Sequence, residues 1–227
     1  MDLFIEQFIT KGGYKTVLSG LLVTAEIAVL GLLIGVLLGT LIAVVRVTPK
    51  YKMLPKILDG VCNVYVAFFR GTPMVVQLLI GYYVLFPALN IVIDAVLVAV
   101  LIFGLNSAAY VSEIMRSGIQ SVDIGQLEAA RALGLPYATS MLKIVIPQSI
   151  KNILPTLGNE FIVLVKDTSI VSFIAVVDLT KAFRQIGDAT YEYVIPYLML
   201  AVVYLVLVLG ITFAIRAMER RLKRNER

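Results

Sequence analysis

The chain has 227 residues, of which 59% are hydrophobic and 15% charged, with a mean hydropathy of +0.92 and a net charge of +5. A domain dissolved in water carries about a quarter of its residues as charge, so this composition excludes one and makes lipid the natural solvent. The absence of histidine and the single Cys62 exclude an intrachain disulfide, histidine-activated nucleophiles and the usual zinc sites.

Residues 1–16 carry Asp2, Glu6, Lys11 and Lys15 without a small-residue cleavage site, so the first span is expected to stay as an anchor. That span, Gly20 to Val45, holds one charge, Glu26, and repeats Gly31, Gly35 and Gly39 every four residues. Such spacing leaves a bare ridge where a neighbouring helix packs closely. A second apolar stretch runs from Val61 to Ala88 with Arg70 inside it. Pro73 removes a backbone donor there, predicting a bend and an unserved carbonyl at Phe69. The third, Ala95 to Ser112, carries no charge but places Asn106, Ser107 and Tyr110 near or below its centre.

Between Arg116 and Lys151 the chain is too long for a turn. Asp123 predicts an N-cap, and Ile124, Leu127, Ala130 and Leu133 come after it at helical spacing. Glu128 and Arg131 stand three apart, where they can pair. Gly134 predicts the helix stop, Pro136 a second helix start and Pro147 a further interruption. A bent, short amphipathic pair of this kind either lies on the lipid surface or docks into a partner's groove, and spacing alone does not choose.

The fourth stretch, Asn152 to Val177, is the polar one, with Glu160, Lys166 and Asp167 followed by Thr168 and Ser169. Glu160 and Asp167 are two turns apart and share a face. Charges at membrane depth cost about 2.5–3.5 kcal/mol each, so they face a cavity or a partner. Two readings stay open for Arg70, Lys166 and Asp167: buried ion pairs stapling spans, or contacts to a zwitterionic solute. Glu160 points to the solute, with Asn63, Asn106 and Tyr110 as further polar lining. The segment from Asp178 to Glu192 reads as a solvated loop, and Tyr193 to Ile215 as a fifth span without charge.

Each stretch approaches or exceeds the ~20 residues that cross the hydrocarbon as helix. The expectation is therefore an all-α polytopic membrane protein, one unit over residues 1–227, with about five spans and a projecting segment at about 116–151. Fourteen of the twenty basic residues fall in three connections, Arg46–Lys56, Arg116–Lys151 and the tail from Arg216 to Arg227. By the positive-inside bias those lie in the cytoplasm and the amino terminus outside. The same distribution points to a bilayer and away from nucleic acid.

Glu128-Ala129-Ala130, then Gly134, then Ile144-Val145-Ile146-Pro147 resembles the EAA signature of ABC importer permeases, with Ile146 where that pattern has Leu. Arg70-Gly71-Thr72-Pro73 with Gln77, Ala108-Ala109-Tyr110-Val111-Ser112-Glu113, and Lys166-Asp167-Thr168-Ser169 are similar to permeases of the polar amino-acid uptake family. The resemblance implies that Glu128, Ala129, Ala130, Arg131 and Gly134 form a coupling helix seated in a separate ATPase. It also implies a second permease copy, identical or paralogous, an extracytoplasmic solute-binding protein, and an amino-acid substrate in a prokaryotic cell membrane. Basic amino acids come first and glutamine next. The chain has no phosphate-binding G-x-x-x-x-G-K-[ST] loop, so no cofactor is expected in it and ATP and magnesium would sit in the partner. It would not be an enzyme by itself. An ATP-independent secondary transporter or channel is the alternative.

Overall fold

The structure, a computed structural model, describes residues 5–224, with side chains to residue 221. Asp2 and Arg227, charged residues of the two termini, lie outside the described residues, and the side chains of Lys223 and Arg224 lie outside the described part of their helix. After a π-helical turn at Glu6–Thr10, the first long helix, α1, spans Gly13–Val47. It packs along α4, Ala95–Gln120, as the central pair of the bundle. The glycine ridge is the reason. A Cβ on Gly31 would meet the Cβ of Phe103 at 3.1 Å, one on Gly35 the Cβ of Ser107 at 2.7 Å, and one on Gly39 the Cβ of Val111 at 2.8 Å. The two backbones approach because no side chain stands between them. Ile27, Ala28, Phe103, Ala108 and Val111 close the seam and are buried.

The second apolar stretch is not one helix. Helix α2, Met53–Gly71, and helix α3, Met74–Ile80, meet at 106° counting the continuation of α3 to Ala88. Thr72 is extended at the break and Pro73 caps α3, as expected where a proline ring crowds the residue before it. A π-turn, Gly81–Leu85, carries α3 on to Phe86–Ala88.

After α4 comes the short α5, Ile124–Ala132, then a turn into Tyr137–Ser140. Contrary to expectation, Pro147 does not interrupt the chain. A π-turn at Met141–Val145 leads without a break into α6, Ile146–Asp167, and Pro147 stands directly after that π-turn, whose widened ladder accommodates the missing N–H. The fourth expected span therefore begins earlier than Asn152. It also ends earlier as an α-helix, giving way after Asp167 to a 3-10 stretch, Thr168–Ile174, closed by Ala175 at φ +65. Among the described residues, α1, α4 and α8 (Val194–Arg224) are long and apolar enough to cross a membrane, and the bent α2–α3 pair makes a fourth candidate. Helix α6 has the length, but Asn152, Asn159, Glu160, Lys166 and Asp167 make it too polar to qualify on composition.

The expected loop at Asp178–Glu192 is corrected. It is helix α7, Leu179–Thr190, because Leu179, Ala182, Phe183, Ile186 and Gly187 form one buried face. They pack with Phe8, Leu21, Met199 and Leu207 in a second small core. Asp178 caps the helix by accepting from the N–H groups of Thr180 (2.9 Å) and Lys181 (3.0 Å).

Candidate functional site

A layer of polar groups crosses the bundle where α4 faces both the α2–α3 break and α6. Pro73 leaves the Phe69 carbonyl without its helical donor, but the carbonyl is not unserved. Gln77 Nε2 donates to it at 2.8 Å and Asn106 Nδ2 at 3.3 Å. The same Gln77 amide lies 3.1 Å from the Thr72 carbonyl and 2.8 Å from its hydroxyl, while Gln77 Oε1 accepts from Asn106 Nδ2 at 2.8 Å. Gln77 thus replaces the donor that proline removed, and its burial makes each of these bonds matter.

One residue along α4, the fully buried Ser107 donates its hydroxyl to Glu160 Oε1 at 3.1 Å. Glu160 is 9% exposed and the described residues offer its carboxylate no basic partner. Asp167, two turns further along α6, is half-buried and beside Lys166, which points outward. The fold therefore brings Glu160 of α6 against the Ser107 hydroxyl of α4, one residue from the Asn106 amide that Gln77 of α3 engages.

Other expected lining residues are used differently. Arg70 is about half-exposed, with its guanidinium 5.4 Å from the Tyr110 ring centroid and 3.8 Å from Glu113. Glu113 also accepts from Arg46 and, at 2.8 Å, from Arg116, so one carboxylate gathers three arginines from α1, α2 and α4. Here the ion-pair reading describes Arg70. Asn63 is exposed and donates to Asp59 at 3.2 Å, away from the Glu160 layer. Thr168 is fully buried and spends its hydroxyl on the Val165 carbonyl at 2.7 Å. Ser169 lies at the start of the 3-10 stretch, half-buried, just beyond Asp167. Gln77, Ser107 and Glu113 are visible in the sequence as polar or motif residues but not as site residues. The i+4 relation of Gln77 to Pro73 is the available signal for the first.

The elbow between α4 and α6 matches its sequence signals closely. Asp123 Oδ1 accepts from Gly125 N–H at 2.7 Å. Gly134 takes φ +86, its N–H reaches Arg131 O (3.0 Å), and Leu135 N–H reaches Ala130 O (3.2 Å), which together form a Schellman stop. Arg131 does not pair with Glu128; it donates to the Leu135 carbonyl at 2.9 Å, reinforcing that stop. Glu128, Ala129, Arg131 and Gly134 are exposed, whereas Ala130 is buried and holds α5 against its own chain. Ile124 and Leu133, at the two ends of the elbow's apolar side, stand 70% and 83% exposed. Nearby Tyr137 is partly buried and reaches the Val47 carbonyl at 3.5 Å, and burial pushes its hydroxyl pKa up.

An all-helical bundle in lipid, with polar groups between its helices and a capped elbow at one end, is the build of a membrane transport subunit. A family model described as binding-protein-dependent transport system inner membrane component matches residues 31–224, and the chain belongs to that family. It is 41% identical over 210 residues to the arginine transport system permease protein ArtQ of Bacillus subtilis, covering 92% of this chain and 94% of that one. It is 37% identical over 206 residues to the putative glutamine transport system permease protein GlnP of Rickettsia prowazekii, covering 91% and 92%. A crystal structure of an amino acid ABC transporter with histidines superposes with a TM-score of 0.86 at 41% identity, covering 94% of this chain and 98% of that one. The MetNI methionine transporter, in an inward-facing form, shares the fold at a TM-score of 0.77 and 18% identity, covering 91% and 95%. The chain is thus a multi-pass membrane permease, a transport component rather than an enzyme, of the kind that works with a separate ATPase.

Proposed function

We propose that this permease carries amino acids inward by alternating access, basic ones first and glutamine next, driven by ATP hydrolysis in a partner. The observation that carries the reading is Glu160: a buried carboxylate with one hydroxyl donor, no described basic partner, and Asp167 on the same helix face. A carboxylate in that setting favours a cation, and the relatives named for arginine and glutamine are consistent with it. Asn106 and Tyr110 would complete the α4 side of the proposed pathway, with Arg70, Thr168 and Ser169 around it, while Asn63 is left outside it. The substrate's own carboxylate would draw on Arg70, which is only loosely held at 3.8 Å.

The elbow from Glu128 to Gly134 would seat in the ATPase, with the basic ends of the helices in the cytoplasm and the amino terminus outside. Two permease chains, each bringing one elbow, would form the pathway, and a solute-binding protein would deliver the amino acid to the outer face. The membrane is then that of a prokaryotic cell. The test uses the permease co-purified with its ATPase and binding protein in proteoliposomes, measuring ATPase stimulation by arginine, lysine, histidine and glutamine. Glu160→Gln is expected to lower stimulation by the basic amino acids at least tenfold and to spare glutamine. Unchanged arginine stimulation in that variant sinks the assignment.

A further inference from the structure

Beyond the polar layer lies a cavity of ≈ 420 Å³ framed by Tyr82, Tyr83, Phe86, Pro87, Asn90 and Val98. Two tethers fix its position. Tyr82 stands five residues along the helix from Gln77, a rise of about 7.5 Å, so the cavity begins one to two turns past the Gln77–Asn106 pair. On the facing side, the Tyr83 hydroxyl donates to the Phe173 carbonyl at 3.4 Å. Phe173 lies near the end of the 3-10 stretch that starts directly after Asp167, about 12 Å further along at 3-10 rise. The cavity therefore lies in line with the acidic face of α6, on the side of it away from the elbow.

Three aromatic rings, Tyr82, Tyr83 and Phe86, line it together with the aliphatic Ile91, Val92, Ile93 and Val98. Tyr82 and Tyr83 are set edge to face, 4.8 Å apart at 90°, with Phe86 one turn beyond. No lysine or arginine lines the space. The Tyr82 hydroxyl and the Asn90 side-chain amide make no hydrogen bond to the described residues, and Asn90 is held in the left-handed region at φ +53. Aromatic faces with neutral oxygens and no competing positive charge attract a guanidinium or ammonium group. The volume is ample for one amino acid.

We infer that this cavity is an outer vestibule that takes the cationic side chain of the solute before it reaches Glu160 and Asp167. The inference rests on the proposed substrate class and adds a second point of selection, made of π-faces rather than carboxylates. Selection by π-faces favours arginine and lysine over glutamine while holding neither tightly, which lets the solute move on. An ammonium headgroup of a neighbouring lipid offers the same chemistry, so the test must separate the two.

The permease–ATPase complex, without binding protein, is placed in nanodiscs of phosphatidylglycerol alone, and equilibrium binding of labelled arginine, lysine and glutamine is measured. Tyr82→Leu is expected to weaken arginine and lysine about three- to tenfold, the size of one aromatic–cation contact, and to leave glutamine unchanged. Tyr82→Phe, which keeps the ring, should bind like the native chain. Phe86→Leu repeats the effect at a second position, and unfolding midpoints confirm that each variant is intact. An equal loss for arginine and glutamine, or no loss in either leucine variant, overturns the vestibule while leaving the transport assignment standing. If phosphatidylethanolamine discs abolish the Tyr82 dependence, the headgroup is the occupant and the inference fails. If the native complex hydrolyses ATP but binds none of the three amino acids, the substrate class falls and the vestibule with it.

Discussion

Replacing Gly35 by alanine tests whether the packing seam and the candidate site are one structure. The added Cβ would lie 2.5 Å from the Ser107 hydroxyl, 2.7 Å from its Cβ and 3.2 Å from its backbone carbon. Rotating the Ser107 side chain relieves only the first of these, so α1 and α4 must separate by several tenths of an ångström. Overpacking of this kind costs about 1–3 kcal/mol, against which alanine's better helix propensity returns up to about 1 kcal/mol. If Ser107 also turns away, Glu160 loses its 3.1 Å donor, and an unserved buried acceptor costs about 1–3 kcal/mol more. The net expectation is a loss of about 1–6 kcal/mol, or a drop of roughly 2–24 °C in the unfolding midpoint of the purified complex for a chain of this size. Gly210→Ala is the control, because nothing beyond its own helix turn lies within 4 Å of its added Cβ; its midpoint should hold or rise. The double variant Gly35→Ala/Ser107→Gly should regain much of the midpoint but not the arginine-stimulated ATPase. Equal midpoints for Gly35→Ala and Gly210→Ala would refute the reasoning.

At the elbow, Gly134→Val forces a β-branched residue to φ +86, a cost of about 1–2 kcal/mol or more. Uptake per ATP hydrolysed should fall while hydrolysis persists, and an unchanged ratio in proteoliposomes counts against a working hinge. Gln77→Leu strands the Thr72 carbonyl and leaves the Phe69 carbonyl and the Asn106 amide only their 3.3 Å bond to each other, so the midpoint should fall by the equivalent of about 1–3 kcal/mol, read by thermal unfolding. Asp178 has its pKa raised by burial, partly offset by the N–H groups of Lys181 and Thr180. A raised folded-state value means its contribution is full below the ordinary ~3.9 and is lost as pH rises through the higher value. Asp178→Asn still caps α7, so its midpoint should match the native chain near pH 3.5 and gain on it as pH increases; a gap that does not vary with pH argues against the burial.

The elements that could be read from the sequence are those built from local chemistry. Gly31, Gly35 and Gly39 announce a seam because a missing side chain is visible in any residue string, and Asp123 and Gly134 bound α5 because caps act within a few residues. What stayed hidden depends on chain crossings. Nothing in the run around Glu113 states that Arg46 and Arg70 arrive from two other helices, or that Ser107 rather than a cation faces Glu160. The 106° break needed Pro73, which was seen, together with Gln77 as substitute donor, which was not linked to it. Helix α7 was legible in principle: Asp178 is a cap, and Leu179, Ala182, Phe183, Ile186 and Gly187 keep helical spacing. Its polar composition suggested a loop because, between apolar spans, polarity reads as solvation, while the buried face comes from packing on residues near the amino end and on α8.

The failure of Pro147 to interrupt the chain matters more for mechanism than the count of spans. Because the π-turn at Met141–Val145 and the first turn of α6 absorb that proline, one helical path runs from Tyr137 to Asp167. Glu160 is therefore on the same helical path as Tyr137, with Pro155 inside it, and the elbow at Gly134 joins the start of that path through the extended Pro136. That path touches α4 closely where Ile153 packs on Gly118. Glu160 stands seven residues beyond Ile153, about 10 Å, and Tyr137, where the helical path begins, sixteen residues before it, about 24 Å. A rotation about this contact that shifts the Tyr137 end by roughly 3 Å would shift Glu160 by about 1 Å in the opposite sense. That displacement suffices to break a 3.1 Å hydrogen bond to Ser107. The geometry thus joins the chain segment next to the elbow to the buried carboxylate through one helical path. Because Gly118 offers no side chain to resist the approach, the pivot can be close and still free to turn.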